Sequence, residues 1–176
     1  MIAFDALKAA VLLFFVAAIV QVSLLSSVNV AGGMPNVLLV TLVAVALLRG
    51  SMYGAAGGFF GGLLLDTANL ETLGLTSLIL TVGGYWIGRY GETTGRDRTH
   101  APYVSVAVVT VLYAVGVLVL NFLIGDPVSG RRVLVDSLVP TIAFNLILTA
   151  PVYWLVAKLL PPVDWRERAG DVRLLG

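Results

Sequence analysis

Residues 50–66 read GSMYGAAGGFFGGLLLD, with glycine at 50, 54, 57, 58, 61 and 62 and an aspartate closing the run. In water a glycine inside a helix costs about 0.5–1 kcal/mol relative to alanine. Six of them in so apolar a stretch raise the question of which solvent surrounds it. Of the 176 residues, 59% are apolar and only 12% charged, and the mean hydropathy is +0.97. A soluble domain carries about a quarter charged residues. The charges here fall between long uncharged runs, so the chain reads as an integral membrane protein. In lipid, backbone hydrogen bonds cannot be traded for water, and a glycine-rich helix stays helical. Small residues then become the means by which two helices approach closely.

Working outward, six uncharged runs emerge, at roughly 9–28, 34–48, 50–65, 72–88, 101–124 and 137–157. The second to fourth are at or below the usual lower limit for crossing a bilayer. The first could imitate a signal peptide, but its apolar stretch exceeds a signal's 7–15 residues, so it reads as a retained span. The expected fold class is an all-α integral membrane protein, a compact bundle of six transmembrane helices over residues 1–160. Residues 161–176, with Trp165 among charges of both signs, read as a short cytoplasmic interfacial tail. Orientation follows from the basic residues. With both termini cytoplasmic, Lys8, Arg49, Arg89, Arg96, Arg98, Lys158, Arg166, Arg168 and Arg173 lie inside, against Arg131 and Arg132 outside.

At a spacing of four, Gly50, Gly54, Gly58 and Gly62 form one stripe on a helix, with Asp66 next in line. Gly57 and Gly61 widen it by a neighbouring ridge. Gly84 and Gly88 make a smaller version on the fourth span, a natural mate for the third. The stripe is a helix-packing surface, used mostly inside the bundle or offered in part to a partner's helix, with its Asp66 end at the outer rim. Asp66 could instead cap the next helical turn through its side-chain oxygen.

Little chemistry is visible. There is no cysteine and one histidine, so a typical catalytic zinc set cannot be assembled. No serine lies in a G-x-S-x-G context, and His100 reads as a solvated loop residue. No catalytic residue, metal or cofactor is expected, and a net charge of +1 points to no nucleic acid partner. Asn121 and Asn145, with Gln21 and Ser23, are polar groups within spans, expected to bond from helix to helix. Pro140 and Pro151 bracket Asn145 and predict a kinked sixth span. Arg131 and Arg132 either pair with Asp126 and Asp136 or meet an anionic headgroup or an acidic partner.

Residues 34–91, MPNVLLVTLVAVALLRGSMYGAAGGFFGGLLLDTANLETLGLTSLILTVGGYWIGRYG, resemble the rod shape-determining protein MreD family. Pro35 stands at the opening of the second span, Gly54, Gly58 and Gly62 punctuate the third, and Asp66 closes it. Gly74 precedes the fourth span, which ends in an aromatic-glycine exit with Tyr85 and Gly88. The resemblance implies a non-enzymatic subunit of the bacterial cell-elongation and peptidoglycan synthesis machinery, multi-pass in the inner membrane. It implies binding to a single-span MreC-like partner, and work with RodA, a class B penicillin-binding protein and MreB filaments. The family is similar in fold to the substrate-binding subunits of energy-coupling-factor vitamin transporters. That likeness supplies an alternative function, with a pocket lined by Asn121, Asn145 and aromatic residues.

Overall fold

A computed structural model describes residues 2–25, 33–70, 72–95, 100–125 and 137–160. The tail at 161–176, Glu71, and the 126–136 segment with Arg131 and Arg132 lie outside the described residues. Six helices follow in order: α1 (Ile2–Val20), α2 (Val37–Arg49), α3 (Ser51–Asn69), α4 (Leu75–Tyr90), α5 (Ala101–Ile124) and α6 (Leu138–Leu159). Short π-helical turns extend α1 over Gln21–Leu25 and α4 over Gly91–Gly95. From Ser51 onward the glycine-rich stretch is helical throughout.

The shortest helix holds the centre. The sequence of α2, VLLVTLVAVALLR, has no polar face, and every residue from Leu38 to Arg49 is buried. A helix apolar all round has to be enclosed by others, and each of the five other helices packs on α2. At 13 residues it is about 20 Å long, short of the roughly 30 Å of a hydrocarbon core. By contrast α5 and α6, with 24 and 22 residues, are long and apolar enough to cross a membrane. They lie at the periphery, and α5 buries only residues of its first half, from Ala101 to Thr110. Pro140 falls in the first turn of α6, where its missing N–H has no helical acceptor to lose. The helix continues unbroken through Pro151.

Because α2 begins inside the bundle, its first N–H groups need protein acceptors. Asn145 Oδ1 accepts from Asn36 N at 2.8 Å and Gln21 Oε1 from Val37 N at 2.8 Å. Asn36 Oδ1 accepts from Leu39 N at 2.9 Å, and Thr141 Oγ1 from Met34 N at 3.2 Å. Gln21 Nε2 donates in turn to the carbonyl of Pro35 at 3.1 Å, and Asn145 Nδ2 to Thr110 Oγ1 at 3.0 Å. Asn145 thus ties three helices together. Asn121 differs from the interhelical expectation: its amide donates to Val117 O of its own helix at 2.8 Å. It lies in the half of α5 that carries no buried residue, so its own backbone is the acceptor within reach.

One residue joins α2 to α3. Gly50 has φ 94° and ψ −176°, a region essentially closed to residues with a Cβ. Its N–H still donates to Ala46 O at 2.8 Å, while its carbonyl accepts from Gly54 N at 3.0 Å. Gly50→Ala is expected to destabilise the bundle by about 1–3 kcal/mol, read as a lowered thermal midpoint in detergent. Gly83→Ala is the matched control. Its Cβ would meet Val109 at an ordinary 3.5 Å, and loss of a mid-helix glycine should leave the midpoint unchanged or raised.

Candidate functional site

The glycine stripe is the seam between α3 and α4. A Cβ on Gly54 would stand inside the carbonyl of Gly84, and one on Gly84 inside that of Gly54. A Cβ on Gly58 would meet the Leu80 carbonyl, one on Gly62 the backbone of Ser77, and one on Gly88 the backbone of Ser51. Two helix backbones touch at four levels over about three turns, a closeness that the glycines permit. The ridge at Gly57 and Gly61 faces elsewhere: a Cβ on Gly57 would meet the ring of Phe14 from α1, and one on Gly61 the side chain of Leu38 from α2 at 3.3 Å. Gly50 is not part of the helical stripe, since its backbone turns the chain between α2 and α3.

Each end of the seam is closed by a carboxylate. Asp66, at the C-terminal end of α3, accepts from Gly74 N at 2.8 Å, Thr76 N at 3.2 Å and Ser77 N at 3.4 Å. It caps α4, whose orphan N–H groups and positive dipole end suit an anion. At the opposite end, Glu92 Oε1 accepts from Ser51 N at 2.7 Å and Ser51 Oγ at 2.8 Å, capping α3. Each helix therefore carries the N-cap of the other. Ser77 Oγ adds a bond across the seam to Phe59 O at 2.9 Å.

Asp66 thus takes the capping role weighed for it above. Pro35 and Asp66 are both buried, Asp66 with 0% exposure. The N–H groups at the start of α4 draw the carboxylate inward, so it is not offered at the outer surface. Gly74 has φ 93° and no atom within 4 Å of a Cβ position. Its backbone angle, and not packing, requires glycine there. His100 is exposed at the start of α5, as a solvated residue should be. Among the described residues no group of three His, Cys, Asp or Glu could hold a metal ion.

Sequence reasoning missed Glu92. A side chain 41 positions away capping Ser51 leaves no local signal beyond the serine that opens the helix. Gln21 and Asn145 carried a signal as polar residues in apolar runs, without showing that they serve the start of α2. An apolar groove of about 390 Å³ lies between α1 and α3, lined among others by Ala10, Phe14, Phe15, Ala56, Phe60 and Leu64.

The fold and these contacts define the class: an all-α apolar bundle with two helices able to cross a membrane, whose buried polar groups hold helix ends in place. A family model described as rod shape-determining protein MreD matches residues 6–163, and the chain belongs to that family. Membership places it in rod shape determination and in association with a membrane. Neither curated proteins nor solved structures give a match.

Two measurements check the latch. Asp66→Leu strands three N–H groups, each worth about 1–3 kcal/mol when buried unsatisfied, and should lower the thermal midpoint far more than Asp66→Asn, which keeps one acceptor oxygen. Glu92 lies beyond the end of α4, outside the spanning segments. Burial raises its carboxyl pKa, but bonds from the Ser51 N–H, the Ser51 hydroxyl and Arg89 outweigh burial and leave it below the ordinary value. A lowered folded pKa contributes stability in full above the unfolded value, about 4.3, and loses it as pH falls through the folded value. The midpoint gap between wild type and Glu92→Gln should be constant near neutral pH and shrink below about pH 4.3.

Proposed function

We propose that the chain is a non-enzymatic scaffold of the bacterial cell-elongation complex. In this reading it spans the inner membrane six times with both termini cytoplasmic and binds a single-span MreC-like protein. It acts with RodA, a class B penicillin-binding protein and MreB filaments in peptidoglycan synthesis. One observation carries the reading. Asp66, Glu92, Gln21, Asn36 and Asn145 all serve helix ends, and the outward faces of α1, α3 and α5 are apolar. A protein built this way offers packing surface and little chemistry. The groove between α1 and α3 is the concave part of that surface, and a single-span helix laid along it would bury Phe15, Phe60 and Leu64.

A substrate-binding subunit would need Asn121 and Asn145 free for a ligand. Asn145 is fully buried and bonded to Asn36 and Thr110, and Asn121 is bonded to its own helix. A vitamin screen should therefore produce no thermal stabilisation, since a ligand present at 100 times its Kd would add about 2.7 kcal/mol.

The scaffold reading is tested by co-purification from membranes with the MreC-like protein encoded in the same cell. Ala56→Trp fills the groove from an exposed position outside the seam. It should lower the recovered partner several-fold while leaving the thermal midpoint of the isolated chain near wild type. Undiminished recovery would remove the groove as the seat, and no recovery with the wild-type chain would remove the scaffold reading.

A further inference from the structure

The groove between α1 and α3 has a buried floor and an exposed rim. Phe15 and Phe60 stand exposed around it, while Ala10, Phe14, Gly57 and Gly61 are the buried residues of its lining. Phe14 alone among these four has a large side chain, so the place of its ring sets the depth of the groove. That place depends on Gly57. A Cβ on Gly57 would coincide with the far end of the Phe14 ring, at Cζ and both Cε atoms. The ring therefore occupies space that any other residue at 57 would take for its own side chain.

This glycine differs in kind from those of the seam, where a Cβ would strike backbone. Backbone cannot step aside without parting two helices, whereas a ring tip can. An aromatic side chain on a helix has two staggered χ1 positions open to it, so a side chain at 57 moves the ring and leaves the helices in place. The direction of that movement is set by packing. On the core side α2 is buried along its length, and a close-packed interior has no room for a displaced ring. The open volume beside Phe14 is the groove itself, about 390 Å³.

We propose that Gly57 keeps this groove open by leaving room for the Phe14 ring at its floor, and so determines whether a helix can be seated there. With the ring drawn aside, Ala10, Gly57 and Gly61 leave a hole of the kind that receives one large apolar side chain of a facing helix. The occupant is the partner's single transmembrane helix, presenting such a side chain at this level. Gly57 is a positioning residue that acts through Phe14 and takes no part in the α3–α4 seam. The inference rests on the reading above that the groove is the partner's seat.

Co-purification of the full chain with the MreC-like protein, run beside Ala56→Trp, tests it. Gly57→Ala should fold with a thermal midpoint near wild type, because alanine suits a helix better than glycine and the clash falls on a movable ring. Partner recovery should nevertheless drop several-fold. Gly57→Ala combined with Phe14→Leu, which removes the displaced ring, should restore recovery, as a general defect at 57 would not allow. Phe14→Trp alone, with a ring too large for the space over Gly57, should lose recovery as Gly57→Ala does, and it carries the test should Gly57→Ala misfold. Undiminished recovery with Gly57→Ala or with Phe14→Trp would overturn the proposal, and so would a loss that Phe14→Leu fails to restore. Undiminished recovery with Ala56→Trp would instead sink the groove reading on which the proposal rests.

Discussion

Backbone contact between α3 and α4 sets the terms for the rest of the molecule. Where the carbonyl of Gly84 occupies the place a Gly54 side chain would take, the helices have no freedom of separation. What holds them there is dispersion between closely fitted surfaces plus hydrogen bonds at the ends. Crossed caps supply those bonds. Asp66 reaches from α3 to the start of α4, and Glu92 from beyond α4 to the start of α3. A slide of one helix by a single residue would break both caps and bring side chains into the seam, so register and distance are fixed together.

That rigid pair explains how a helix as short as α2 can be the core. Its apolar circumference is enclosed by five neighbours, and its start is supplied with acceptors by Gln21, Asn36, Asn145 and Thr141. These polar residues are thus placed where backbone ends would otherwise go unbonded in an apolar medium. This is the physical difference between a polar residue that binds a ligand and one that permits a fold. Here the contacts of Asn145 and Asp66 put both in the second group.

Much of the architecture was legible in the sequence because lipid imposes simple rules. Uncharged runs located all six helices, and the four-residue glycine spacing identified α3 and α4 as a pair. The finer assignments depended on contacts that no local pattern records. Asp66 reads equally as a rim carboxylate or a cap, and only the position of the α4 start decides. Glu92 sits in a charged stretch that looks solvated, and its bond to Ser51 arises because the seam brings residues 41 apart side by side. Asn121 and Asn145 look alike as isolated amides in apolar runs. Burial against α2 made one a junction, while the half of α5 without buried residues left the other bonded to its own helix.

Gly50 joins α2 to the α3–α4 pair with no slack at all. A one-residue connection transmits rotation as well as translation, so the central helix and the latched hairpin form a single mechanical piece of the fold. The extension of α1 and the helix α6 are bonded to this piece through Gln21 and Asn145, so a displacement of either bears directly on the start of the central helix.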